Sequence, residues 1–180
     1  MKSEKRASTF FVFIHLIVIF IFASCLSGRT TKESDSVVYI PNPVTKATPR
    51  QIMEGLGVEF LVPLNATDIS YSIIADKIAQ MSFIWINARC CARIQSTSQL
   101  EDISGMYYEW NKEEPCRIGW CDGVVKLLDK ENSDESTGVC LWYDAAPGLM
   151  YSLSMEGNAN VDNLTNLAQQ IYKTTQKEVP

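Results

Sequence analysis

Residues 69–95 read ISYSIIADKIAQMSFIWINARCCARIQ. Three short runs rich in β-branched and aromatic residues, ISYSIIAD, KIAQMSFIWI and ARCCARIQ, follow one another with turn-like breaks at Asp76-Lys77 and Asn87-Ala88. That spacing predicts consecutive antiparallel strands joined by hairpins. Before it, VEFLVP at 58–63 reads as a further strand, and Val37–Ile40 is a short apolar run stopped by Pro41-Asn42-Pro43. Thr48-Pro49-Arg50-Gln51 supplies an N-cap, a first-turn proline and a capping-box glutamine, so a helix starts there and ends at Gly55 or Gly57. Ile52, Met53 and Leu56 are its expected buried stripe.

On the other side, Gln95–Gly105 is a polar connection and Met106–Trp110 (MYYEW) is dense in aromatics. Strands are expected at Pro115–Trp120, Gly123–Leu128, Gly138–Tyr143 and Leu149–Met155. After Asn160, a good N-cap, Val161, Leu164, Leu167, Ala168, Ile171 and Tyr172 recur at helical spacing. The expected fold class is therefore α+β: a curved antiparallel β-sheet, a meander of hairpins, with an N-terminal and a C-terminal helix packed on one face. The expected boundaries are a signal peptide at 1–24, a lipidated cysteine and flexible tether at 25–40, and a single globular domain at 41–176.

The signal reading rests on FFVFIHLIVIFIFASC, Phe10 to Cys25, behind the basic residues Lys2, Lys5 and Arg6. As a helix, Phe10–Ser24 spans about 22 Å, short against a hydrocarbon layer of about 30 Å. Its end, Phe22-Ala23-Ser24-Cys25, looks like a lipobox whose cysteine, Cys25, becomes the lipid attachment site, although Phe22 stands where leucine is usual. A cleaved signal without lipid and an uncleaved anchor are the other two readings, and each places the domain outside the cytoplasm. Leu26–Ser36 (LSGRTTKESDS) is polar, without an apolar period, and reads as a tether.

The chain carries a net charge of −5, and beyond residue 24 it has 13 basic and 20 acidic residues. No run of Lys and Arg follows Cys25, so no nucleic-acid partner is expected. The sole histidine, His15, falls within the signal. A mature domain without imidazole has no Ser-His-Asp or Cys-His pair and no histidine-ligated zinc. Neither GxxxxGK[ST] nor GxGxxG occurs, and no cofactor is expected.

Cys116 and Cys121 frame PCRIGWC, a spacing that suits a small disulfide loop or half of a metal site. An oxidising compartment favours the disulfide. Adjacent Cys90 and Cys91 point to opposite faces of a strand, so at most one of them meets Cys140 or the 116/121 pair. The carboxylate pairs Glu101-Asp102, Glu113-Glu114 and Asp134-Glu135 read as solvated loops, since sequence neighbours seldom face each other across a cleft. Asp129–Asp134 has the alternating oxygen donors of a calcium loop but no glycine at its sixth position. Tyr107, Tyr108 and Trp110, with Glu101 and Asp102, are the candidate binding surface, because aromatic rings offer large contact area at low entropic cost.

Several short motifs resemble a family of uncharacterised extracytoplasmic bacterial domains, the domain of unknown function 4367. They are Asn42-Pro43, Gly57-Val58-Glu59-Phe60 with Val62-Pro63, Glu101–Gly105 with Tyr107, and Leu141-Trp142 with Tyr151-Ser152-Leu153-Ser154. The likeness runs from about Pro41 to Tyr172 and implies a fold more than an activity. Cys90, Cys91, Cys116 and Cys121 depart from it, and the residues ahead of the signal are too few for the sigma-factor-binding region that some members carry. The expected function is a non-enzymatic, membrane-tethered lipoprotein domain that binds or senses at the cell envelope, with the membrane and an envelope protein or glycan as partners. A carboxylate-dependent envelope hydrolase or a thiol redox protein is the alternative.

Overall fold

The computed structural model describes residues 43–128 and 136–172. The signal, Cys25, the tether and the calcium-like loop all lie outside the described residues.

The helix starts where its capping chemistry requires. Thr48 Oγ1 accepts from the Gln51 amide at 3.3 Å, and Gln51 Oε1 accepts from the Thr48 amide at 2.9 Å. Between them they satisfy two orphan donors of α1 (Pro49–Leu56). Gly57, at φ 69°, ends the helix by returning its N–H to Met53 O, a left-handed conformation that a Cβ would strain. The buried side of α1 is narrower than its sequence stripe: Ile52 is buried and Leu56 half-buried, while Met53 is 44% exposed. Positions 52 and 56 stack one turn apart, and 53 points roughly 100° away.

Eight antiparallel strands form one sheet among the described residues, in the order β1-β2-β3-β4-β8-β7-β6-β5. They are β1 (Val44–Ala47), β2 (Ala66–Ile74), β3 (Ile78–Trp85), β4 (Ala88–Ser96), β5 (Lys112–Ile118), β6 (Cys121–Leu128), β7 (Thr137–Asp144) and β8 (Leu149–Glu156), followed by α2 (Val161–Ile171). The sheet is two four-stranded meanders joined where β4 pairs with β8, from Arg89↔Glu156 to Ser96↔Leu149. The α+β meander with an early and a terminal helix is as expected.

Three local readings shift. The β2–β3 turn has positive φ at Ala75 and Asp76, and the β3–β4 turn at Ile86 and Asn87, one residue before the predicted breaks. The second is a two-residue loop closed by Trp85↔Ala88, the length that favours left-handed central residues. VEFLVP forms no strand: Val58 and Phe60 are buried in alternation, but Val62 is 50% exposed and Pro63 is buried, which breaks the period. Pro63 donates no ladder bond, and the strand beside β2 is instead Val44–Ala47, paired from Ala47↔Tyr71 to Val44↔Ile74.

Both helices pack on one face of the sheet. That face carries Met81, Ala92, Leu153, Cys140 and Val125 from successive strands, and Ile52, Leu164, Leu167, Ala168 and Ile171 complete one continuous apolar core. The Asn160 side chain accepts from the Asn163 amide at 2.8 Å and caps α2. At its other end, Gln169 donates to Arg117 O at 2.7 Å and accepts from the Gly119 amide at 3.0 Å, fastening α2 to the β5–β6 hairpin.

The other face is covered on one side only. Residues 97–111 cross it diagonally between β4 and β5, and Ile103 seals Val139, Leu141 and Met150, with Met106, Trp110, Val124 and Tyr143 around them. The Arg93 guanidinium staples this strap to the sheet, Nη1 donating to Ile103 O at 2.9 Å and Nε to Gln80 Oε1 at 2.8 Å.

Candidate functional site

Beyond the strap, the same face stays open over β2, β3, β4 and β8. Strand register sets its chemistry: Ser82 lies opposite Cys91, Cys91 opposite Ser154, and Gln80 opposite Arg93. Each of these residues is the polar member of an alternation whose apolar partners face the helices. The open quadrant therefore presents hydroxyls, an amide and guanidinium groups beside aliphatic side chains such as Ile84.

A groove of about 320 Å³ runs through it, lined by Asp68, Ser82, Ile84, Arg89, Cys91, Ser154 and Glu156, with Phe83 and Cys90 contributing to the lining. One wall is irregular. The β2–β3 register shifts between Thr67 and Ser70, and Asp68 sits there at φ 50°. A bulge of this kind unpairs one residue and re-aims its neighbours; here it brings the Asp68 carboxylate to the groove. On the opposite wall Arg89 Nη2 and Glu156 Oε2 form an ion pair of 2.7 Å across β4 and β8. Ser154 Oγ donates to Cys91 O at 3.3 Å. The groove thus carries two carboxylates, one guanidinium, two hydroxyls and a thiol.

Burial pushes the Cys91 thiol up, and the pull of the Arg93 guanidinium with hydrogen bonds from Ser82 and Arg93 does not cancel it. A thiol held up in this way carries little thiolate at neutral pH.

The residues predicted as a binding surface lie on the strap, and none lines the groove. Tyr107 is 93% exposed and Tyr108 46%; Tyr108 meets Trp110 edge to face at 5.5 Å. Trp110 packs against the apolar cluster under the strap. Glu101 accepts from Gln95 Nε2 at 3.3 Å, and Asp102 Oδ1 accepts from the Ser104 amide at 2.8 Å. Asp102 therefore shapes the turn that seats Ile103. Of the other aromatics, Trp142, Tyr151 and Tyr172 form a buried stack, Trp142 lying 5.0 Å from Tyr151 at 6°.

All five described cysteines are free thiols. Ile118 pairs with Cys121 and Cys116 with Gly123, so Cys116 and Cys121 lie diagonally across their hairpin. Cys121 Sγ donates to Tyr172 Oη at 3.4 Å, and Tyr172 Oη donates to buried Asp144 Oδ2 at 2.7 Å. Cys116 instead rests against Cys140, their sulfurs 3.7 Å apart. Glu113 and Glu114 take separate lysines, Lys126 at 3.2 Å and Lys112 at 2.7 Å, from opposite faces of β5. No group of three or more His, Cys, Asp or Glu among the described residues is placed to hold a metal. Nor is any described helix long and apolar enough to cross a membrane.

Asp68, Ser82, Arg89 and Glu156 were not singled out by sequence reasoning, and Ser154 entered only as part of a family-like motif. Their shared signal is that they occupy the polar positions of separate strands, and only the register shows that those positions coincide. No family model matches the chain, and neither a curated protein nor a solved structure is similar to it.

Proposed function

We propose that the chain is a non-enzymatic, membrane-tethered extracytoplasmic lipoprotein domain that binds or senses an envelope ligand in the groove over β2, β3, β4 and β8. One observation carries the binding reading: a groove lined by Asp68, Arg89, Ser154 and Glu156 remains on the part of the sheet face that the strap leaves uncovered. Two carboxylates against one guanidinium favour a polar ligand bearing an amine, as peptide and peptidoglycan fragments do. The tether and the lipid on Cys25 rest on the lipobox-like sequence, and the likeness to the domain of unknown function 4367 belongs to the same proposal. The raised Cys91 thiol favours recognition over thiol chemistry.

Titration of the full chain with soluble peptidoglycan fragments, followed by calorimetry, tests this. Saturable binding that weakens at least about tenfold in Asp68→Asn and in Ser154→Leu is expected, each substitution removing or blocking a group worth about 1.4 kcal/mol or more. Binding that ignores both substitutions but falls in Tyr108→Ala would move the site to the strap.

A hydrolytic reading has a single favouring observation, the presence of Asp68 and Glu156 in one groove. Glu156 is tied to Arg89. Turnover of the same fragments that disappears in Asp68→Asn would establish hydrolysis in place of binding alone.

A further inference from the structure

Cys116 and Cys140 belong to β5 and β7, which flank β6 on the helix-facing side. Their sulfurs lie 3.7 Å apart. On β6, Gly123 pairs with Cys116 and Val125 with Cys140, so the two thiols approach each other diagonally across that strand. A Cβ at 123 would stand 3.1 Å from Cys116 Sγ and 2.7 Å from Leu141 O. The glycine leaves room on β6 for the Cys116 sulfur, which reaches diagonally to Cys140. Cys140 is fully buried, whereas Cys116 is half-buried on the edge strand of the sheet.

A disulfide does not fit this arrangement. Strands that flank a third hold their backbones about 9.5 Å apart, whereas a disulfide needs Cα atoms within about 6.8 Å and sulfurs at about 2.05 Å. Closing the bond would require β5 to leave its ladder with β6. A shared ion imposes no such movement. Two thiolates at about 2.3 Å from one centre stand about 3.8 to 4.0 Å apart at tetrahedral or trigonal angles, close to the observed contact. A linear pair would need about 4.6 Å at the same bond length.

We infer that Cys116 and Cys140 form a binding site for a soft, low-coordinate metal ion, monovalent copper, with its third position open beside β5 to a small thiol or water. Thiolate ligands select such ions. Zinc, which takes four ligands at a structural site, lacks donors here, because no third His, Cys, Asp or Glu joins the pair among the described residues. Binding exchanges two thiol protons for one Cu(I), with no change of oxidation state.

The test is an anaerobic titration of the reduced full chain with Cu(I) presented by a chromophoric chelator, with X-ray absorption of the loaded protein. The expected result is one Cu(I) retained per chain, with sulfur as its protein ligand. It should be lost in Cys116→Ser and in Cys140→Ser and kept in Cys91→Ser. Near-UV circular dichroism establishes that each variant folds; if Cys140→Ser does not, the half-buried Cys116→Ser and Cys116→Ala decide. Retention in those variants, loss in Cys91→Ser, absence of retained copper or equal retention of Zn(II) overturns the assignment. So does a digest of protein treated with glutathione disulfide that contains a Cys116–Cys140 disulfide peptide, because the pair then closes without an ion.

Discussion

The two meanders share a sheet yet are buried differently. In β3 and β4, burial alternates residue by residue: Ala79, Met81 and Phe83 are inside, as are Cys90, Ala92 and Ile94, while the residues between them are partly open. In β7 and β8 it scarcely alternates, and Gly138 to Trp142 and Met150 to Met155 are buried without interruption. The helices lie on one face of both halves, so the difference comes from residues 97–111, which cover the second half except the Ser154–Glu156 end of β8 and stop short of the first. A sheet half buried on both faces is a scaffold, and one buried on a single face has a surface left for binding. Arg93 stands on the boundary, bonded to Gln80 on the open side and to Ile103 in the strap.

The comparison is broken most severely from inside the doubly buried half. Trp142 is fully buried and stacked on Tyr151 with Tyr172 edge-on. Trp142→Ala is expected to cost about 3–5 kcal/mol in guanidinium unfolding, through lost transfer energy and the cavity left behind. A cost below about 1 kcal/mol would mean that this half is not the rigid one. Detaching the strap comes next. Arg93→Ala removes a charge-assisted bond to the strap and another to β3, for about 1.5–3 kcal/mol. Amide exchange should accelerate in 97–111 and in the strap-facing amides of β7 and β8, leaving α1 and α2 protected; uniform acceleration would refute the strap as a separate cover.

The smallest effect separates the faces by pH. Burial pushes the Cys90 thiol up to about 12, so the unfolded chain ionises it near the ordinary thiol value and the folded chain does not. The folded state then binds the extra proton, and stability falls as pH rises from about 9 toward 12. Between pH 8 and 10 the loss from this group is on the order of 1 kcal/mol. Cys90→Ala should flatten that part of the stability–pH curve; an unchanged slope would place the effect elsewhere.

Local chemistry explains which elements were legible. The capping box at Thr48 and Gln51, the cap at Asn160 and the stripe Leu164, Leu167, Ala168 and Ile171 act within a few residues of chain. The hairpins of β2 to β4 and β5 to β8 are likewise contiguous, so period and turn residues sufficed to propose them. VEFLVP failed as a strand because its alternation of burial ends after Phe60, Pro63 cannot donate to a ladder, and a strand also needs a partner. In the candidate site, Cys91 was visible only as half of an odd vicinal pair. Asp68 sits at a bulge that no local motif announces, and Arg89 and Glu156, sixty-seven positions apart in the chain, meet at 2.7 Å.

The amino-acid sequence by itself determined the α+β class, the helix starts and the antiparallel meanders, because each follows from side-chain period, capping and turn preference over short distances. Tertiary structure alone decided that β4 pairs with β8, that 97–111 covers part of one face, that a groove carrying Asp68, Arg89 and Glu156 remains beside it, and that Cys116 lies against Cys140 instead of Cys121. Those outcomes depend on strand register and order, which bring together residues far apart in the chain, and a shift of one residue would send each of these side chains to the other face.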